Sequence, residues 1–149
     1  MTKLVGIAYK TEKRGAMITT EHASVTQKNG VENDIFGRPG KRQVTVMSLQ
    51  QWQQACNEVD KNLPWFTRRA NLLVDGLSFS ALDQGKRLVI GELILEVTGE
   101  TDPCKKMEIA YPGLEKALLP DWRGGVTCRV LNDASIAINA PVSLIAVTE

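Results

Sequence analysis

The sequence predicts a mainly β fold, either a sandwich or a barrel. Three observations predict it. Short aliphatic and β-branched runs are separated by turn signals. Helical periodicity is confined to two stretches, too few for alternating βαβ units. The chain has 149 residues, which fits one domain over 1–149 with a real core.

Taken in order, Leu4-Val5-Gly6-Ile7-Ala8-Tyr9 reads as a first strand, and Lys10 to Gly15 as a charged turn. Ala16 to Thr26 is mixed, with Ala23-Ser24-Val25-Thr26 a strand candidate, and Lys28-Asn29-Gly30 turns the chain. The Gly-, Asn-, Asp- and Pro-rich stretch from Gly30 to Arg42 reads as a long loop. Such loops inside compact domains are often functional. Gln43-Val44-Thr45-Val46-Met47 is rich in β-branched residues and reads as a strand.

Ser48 has the look of a helix N-cap, with Gln51 three residues on as in a capping box. Leu49, Trp52, Ala55, Cys56 and Val59 then share one helical face, and the helix should end near Asp60, before Leu63-Pro64. Leu72-Leu73-Val74 is a short strand closed by Asp75-Gly76. After the turn at Leu82–Lys86, the runs Arg87–Ile90 and Leu93–Val97 form a hairpin around Gly91-Glu92. Leu114, Ala117 and Leu118 suggest a short helix stopped by Pro120. Gly124-Gly125 opens the strand Val126–Leu131, Asn132-Asp133 turns it, and Ser135–Ile138 and Val142–Val147 close the chain. The expectation is about seven or eight short strands and two helices.

Bulk properties exclude several function classes. Hydrophobic content of 43% and charged content of 23% are ordinary for a soluble globular protein. A net charge of +1 does not point to nucleic acid or a membrane surface as a partner. No apolar run approaches the roughly 20 residues needed to span a bilayer. The N-terminus reaches Lys10 and Glu12 too soon for a signal peptide. The expected location is the cytoplasm.

Three widely spaced cysteines, Cys56, Cys104 and Cys128, and a single histidine, His22, lack the clustered spacing of a structural zinc site. Reduced thiols are the default. Cys56 lies on the apolar helix face and packs as a small hydrophobe. Cys128 shares a strand face with Val126 and Val130 and reads as core. Cys104 differs, because Asp102-Pro103 precedes it and Lys105-Lys106 follows. Nearby ammonium groups favour thiolate over thiol, and a helix starting near Pro103 would act in the same direction. A thiolate attacks, carries sulfur or binds a soft metal. A functional thiol and an ordinary surface cysteine in a turn are both compatible with these residues.

Several segments, in order, resemble the MOSC domain, the module named after the C-terminal part of molybdenum cofactor sulfurases. Gly30-Val31-Glu32-Asn33-Asp34 resembles the family's Gly-Ile-Glu-Gly-Asp, and Lys41-Arg42-Gln43-Val44-Thr45-Val46 its Arg-Gln strand entry. Arg69-Ala70-Asn71-Leu72-Leu73-Val74-Asp75-Gly76-Leu77 resembles Glu/Arg-x-Asn-Leu-x-Val-x-Gly-Leu. Leu82 to Gly91 resembles Leu-x-x-Gly-x-x-Leu-x-Ile-Gly, and Val97 to Cys104 resembles Val-Thr-x-x-x-x-Pro-Cys, whose cysteine is the family's hallmark. Gly124 to Leu131 resembles the late glycine and Arg-Val-Leu strand. Two departures stand out. Asn33 replaces a glycine in the loop at the site, and Asn139-Ala140-Pro141-Val142 replaces a final Gly-Asp-x-Val turn.

The resemblance implies a closed or partly open β-barrel with a few short helices and the cysteine at the mouth of a pocket. It implies either binding of the molybdenum cofactor (molybdopterin), with the Cys104 sulfur as metal ligand, or a sulfur-carrier role. Related reductases act on N-hydroxylated compounds. Some members carry a fused pyridoxal-phosphate-dependent domain; this chain is too short to hold one, so pyridoxal phosphate is not expected here. A pterin cofactor with a phosphate calls for cations and amide donors, and arginine suits phosphate because its planar fork bonds bidentately. Candidates are Arg69 and Asn71 at a strand entry, Lys41 and Arg42 at the end of the long loop, and Arg129 beside Cys128. His22 as a proton shuttle and Asp34 as an acceptor for pterin nitrogens are weaker candidates.

Three functions fit: a molybdenum-dependent reductase component, a carrier of a Cys104 persulfide, and a non-catalytic binding module. The first takes electrons from a separate donor protein, since no nucleotide or iron–sulfur motif is evident, and the second takes sulfur from a desulfurase.

Overall fold

The computed structural model describes residues 2–147. Its mainly β architecture is a large sheet curled on itself, with a small second sheet and three short α-helices among the described residues. The strands are β1 (Lys3–Tyr9), β2 (Ile18–Thr20), β3 (His22–Thr26), β4 (Gly30–Val31), β5 (Val44–Ser48), β6 (Leu72–Asp75), β7 (Arg87–Ile90), β8 (Leu93–Glu100), β9 (Val126–Val130), β10 (Ala134–Ala137) and β11 (Val142–Ile145). The helices are α1 (Leu49–Glu58), α2 (Lys105–Ala110) and α3 (Leu114–Leu118).

The large sheet runs β11-β7-β8-β9-β5-β6-β1-β2, and the small one β10-β3-β4. Its ends meet. Lys3 bridges Pro141, the Leu4 amide donates to Ala140 O at 2.9 Å, and the Asn139 amide donates to Leu4 O at 2.7 Å. The outer edge of β1 is thus shared between β2 and the turn before β11.

Two cores explain the unbroken apolar runs in β5 and β6. Val44, Val46, Leu72 and Val74 point into the barrel with Val97, Val126 and Cys128. Met47 and Leu73 point outward, into a second core built from Trp52, Ala55, Cys56, Met107, Leu114 and Leu118 of the helices. Both faces of these two strands are covered, so no polar alternation is needed. The helix α1 begins as expected, with Ser48 Oγ accepting from the Gln51 amide at 3.2 Å.

Besides 3-10 turns at Trp65–Thr67, Ala81–Asp83 and Pro120–Trp122, the structure adds two strands and one α-helix to the sequence expectation: β2, β4 and α2. Each is short, and α2 buries only Met107, so none leaves a periodic signal. The last two strands are shorter than expected, ending at Ala137 and Ile145.

Asparagine can stand at positions 33 and 139 for one physical reason. Asn33 and Asn139 adopt φ of 69° and 77°. Asparagine is among the few residues besides glycine that enter this left-handed region readily.

Candidate functional site

Four segments converge on a cleft of about 520 Å³. They are the turn after β1, the end of the long loop before β5, the 3-10 turn that leads into β6, and the link from β8 into α2. Cys104 stands in this cleft as the N-cap residue of α2, exposed, with its side chain making no capping bond. The neighbouring Pro103 is buried and Met107 packs into the helical core, so the cysteine is presented from an anchored segment.

The other two cysteines are packed away. Cys56 is in the helical core, and Cys128 is inside the barrel, where burial pushes its thiol well up from the ordinary range.

The cleft is strongly cationic. Lys10, Arg42, Arg68, Arg69 and Lys106 line it against the single carboxylate of Asp102. Among the described residues none of the five is in an ion pair. Lys10 feels the crowding. Burial is the first cause that lowers its pKa, and the charges of Lys106 and Arg69 add to it. Arg69 is held in place by stacking its guanidinium over the Phe36 ring at 4.2 Å. Phe66, Met17 and Met107 supply apolar wall.

Arg68 has no counterpart among the sequence candidates. Its side chain is buried and ties three backbone carbonyls together. Nε donates to Gly124 O at 2.8 Å, and Nη2 donates to Thr101 O at 2.8 Å and Asp102 O at 3.2 Å. Gly124 and Gly125 are required by this closeness. A Cβ on Gly124 would lie 2.3 Å from Thr101 O, and one on Gly125 would lie 2.5 Å from Val46 O. The glycine pair therefore lets the Thr101–Asp102 strand end, and Cys104 behind it, close onto β5.

Arg42 and Arg69 are brought to the cleft with Cys104. Lys41, Asn71 and Arg129 do not line it. Asn71 is buried and fully engaged: its Oδ1 accepts from the Thr45 amide at 3.0 Å, while Nδ2 donates to Ala8 O at 3.2 Å and Asp34 Oδ2 at 3.1 Å. Asp34 also accepts from the Lys10 amide at 3.1 Å. Burial raises its pKa, opposed by those two bonds and by the charge of Arg69. Together Asn71 and Asp34 pin the long loop to β1 and β6. Lys41 uses its carbonyl to accept from Thr98 Oγ1, and its side chain is solvent-exposed. Arg129 sits on the outer face of β9, 3.5 Å from Glu96, which also pairs with Arg87 at 3.6 Å. His22 is exposed on β3, outside the cleft.

The family model described as "MOSC domain" matches residues 8–143. No curated protein matches the sequence. Among solved structures, the chain is similar to the YuaD protein from Bacillus subtilis, with a TM-score of 0.82 at 15% identity, covering 99% of this chain and 98% of that one. It is also similar to YiiM from Geobacillus stearothermophilus, with a TM-score of 0.72 at 19% identity over 98% of this chain and 76% of that one. YiiM from Escherichia coli gives a TM-score of 0.72 at 17% identity, over 100% of this chain and 72% of the other. At these identities the likeness is one of fold.

Proposed function

The chain belongs to the MOSC domain family, and on that premise we propose that the Cys104 cleft binds the molybdenum cofactor with the cysteine sulfur as a metal ligand. The protein is then the cofactor-bearing component of a reductase of N-hydroxylated or similar small molecules. The observation that carries this is the pairing of an exposed thiol with five cations, without ion-pair partners among the described residues, in one cleft.

The donor set fits the group. Thiolate sulfur is a soft ligand suited to such a metal. Arginine and lysine suit the pterin's phosphate. No group of three or more His, Cys, Asp or Glu able to hold a metal ion is present among the described residues; Cys104 would hold the group through its sulfur, and the metal's other ligands would have to come from outside such a cluster.

When bound, that group supplies two-electron chemistry at the metal. The chain's own residues bind and orient. Arg42, Arg69, Lys10 and Lys106 hold the anionic and polar parts of the ligand. Asn71 and Asp34 act indirectly, by fixing the loop that carries Phe36 beneath Arg69. Lys41 and Arg129 do not line the cleft. Electrons come from a separate donor protein. The setting is the cytoplasm, where three free cysteines stay reduced; no helix among the described residues is long and apolar enough to cross a membrane.

The test is molybdenum and pterin analysis of protein made in a host that synthesises the cofactor. Both should co-purify with the wild type and be lost in Cys104→Ser. A wild type free of metal contradicts the proposal, and a Cys104→Ser variant that binds fully returns the chain to a non-catalytic binding module.

A second function has one observation in its favour: the Cys104 side chain is exposed and makes no capping bond, as a sulfur carrier requires. Incubation with a cysteine desulfurase should then add about 32 Da, one sulfur atom, to Cys104. The absence of that adduct removes this alternative.

A further inference from the structure

A second cavity, a groove of about 430 Å³, adjoins the Cys104 cleft along two shared chain segments. In one, Trp65 and Phe66 line the groove while Phe66 to Arg69 line the cleft. In the other, Ala16 and Met17 line the cleft while Thr19 to Glu21 line the groove. The two cavities therefore form one trough, and the Phe66 ring, 40% exposed, is the wall they have in common. The groove originates in β1. On this side β1 pairs with β2 only from Ile7 to Tyr9, and the turn at Asn139 and Ala140 covers Leu4. Val5 and Gly6 lie in the gap and line the groove. The register with β6 also slips between Leu4 and Gly6, as at a bulge. Gly6 lets the Trp65 ring lie on the strand, since a Cβ there would be 2.6 Å from Trp65 Cζ2. Phe66 stands edge-on to that ring, with centroids 6.1 Å apart, so each aromatic wall is held by a packed neighbour. Beyond Thr20 the Ile138 amide donates to Glu21 O at 2.9 Å and closes the trough. Only Glu21 is charged among the residues lining the groove, whereas the cleft holds five cations. The trough thus has a charged end and an apolar end.

We propose that this groove receives the uncharged, apolar arm of the small molecule whose polar end lies in the Cys104 cleft. The proposal rests on the reading of the cleft as a site for N-hydroxylated compounds, and it narrows that class to amphiphilic ones, with a polar N–OH head and an apolar arm. The arm gains by leaving water for Trp65, Phe66 and Ile138, and because it crosses the shared Phe66 wall, that residue determines which arms are accepted.

The experiment titrates metal-free protein with straight-chain hydroxamic acids, from acetyl to octanoyl, and follows the indole N–H signals of the three tryptophans by NMR. Each added methylene should tighten binding about two- to fourfold until the groove is full. The Trp65 signal should move, and that of Trp52, 2% exposed in the helical core, should stay. Thr19→Phe fills the groove from an exposed position and should bind every chain length alike. A wild type indifferent to chain length, or one that gains with length while the Trp65 signal stays still, overturns the proposal. So does a length dependence that survives in folded Thr19→Phe. If that variant does not fold, the wild type decides. Octanol, which lacks the N–OH head, tests the other occupant: if it binds as tightly as octanoyl hydroxamic acid, the groove takes a separate apolar ligand and the shared-ligand proposal is overturned. No metal enters the titration, so its failure leaves the molybdenum content of the protein unchanged, and a wild type purified without metal leaves the chain-length series unchanged.

Discussion

Replacing Thr101 by valine should stabilise the protein. The Thr101 Oγ1 is sealed from solvent and has no hydrogen-bond partner among the described residues, in a residue only 7% exposed. The backbone of Thr101 is already satisfied: its amide donates to Gly125 O at 2.9 Å, and its carbonyl accepts from Arg68 Nη2 at 2.8 Å. The hydroxyl therefore contributes no bond and carries a desolvation cost of about 1–3 kcal/mol. Valine keeps the shape and replaces the hydroxyl by a methyl group, whose burial adds up to about 0.8 kcal/mol. The expected gain is about 1–3 kcal/mol, or roughly 2–4 °C in Tm for each kcal/mol at this chain length. Urea unfolding is the assay. The midpoint should rise with an unchanged m-value, which locates the effect in stability rather than compactness. A loss of more than about 0.5 kcal/mol would refute the reasoning, because it would mean that the hydroxyl has a partner in solution. A gain would mark Thr101 as a residue kept beside the thiol at a cost in stability, as is common at binding sites.

Three further outcomes are expected. Gly124→Ala forces a Cβ to within 2.3 Å of Thr101 O and should destabilise by about 2 kcal/mol or more in urea; a neutral result would contradict the close approach. Asn71→Leu strips the acceptor from the Thr45 amide and the donor from Ala8 O and Asp34, so a loss of about 2–4 kcal/mol should appear in the same assay, and an effect within error would show that these bonds are not made. Thiol titration of the native protein should find one fast-reacting cysteine and none in Cys104→Ser, because Cys56 and Cys128 are 5% and 0% exposed; a fast thiol in the variant would contradict the packing.

Much of this fold is legible in the chain because its elements carry their own signals. The hairpin of β7 and β8 is two aliphatic runs parted by the turn at Gly91-Glu92, and α1 has both a capping serine and an apolar face. Cys104 stands out by elimination, since the other two cysteines lie on recognisable packed faces. The cleft around it is less legible. Arg68 and Arg69 are adjacent and chemically alike, yet one is buried as a clasp and the other is stacked on Phe36 in the open. The clasp joins residues 33 and 56 positions apart, which no local pattern encodes. Asn71 shows the converse. A buried asparagine that satisfies backbone groups has the same local sequence as one that binds a ligand, and only its partners tell them apart. Lys10 becomes a site residue because β1 ends beside the entry to β6.

The most direct test of the central claim is X-ray absorption at the molybdenum edge on protein purified from a cofactor-competent host. If Cys104 binds the metal, the wild type shows a shell of sulfur scatterers that includes the cysteine, and Cys104→Ser either loses that scatterer or arrives without metal. An identical sulfur shell in fully loaded Cys104→Ser would contradict the account.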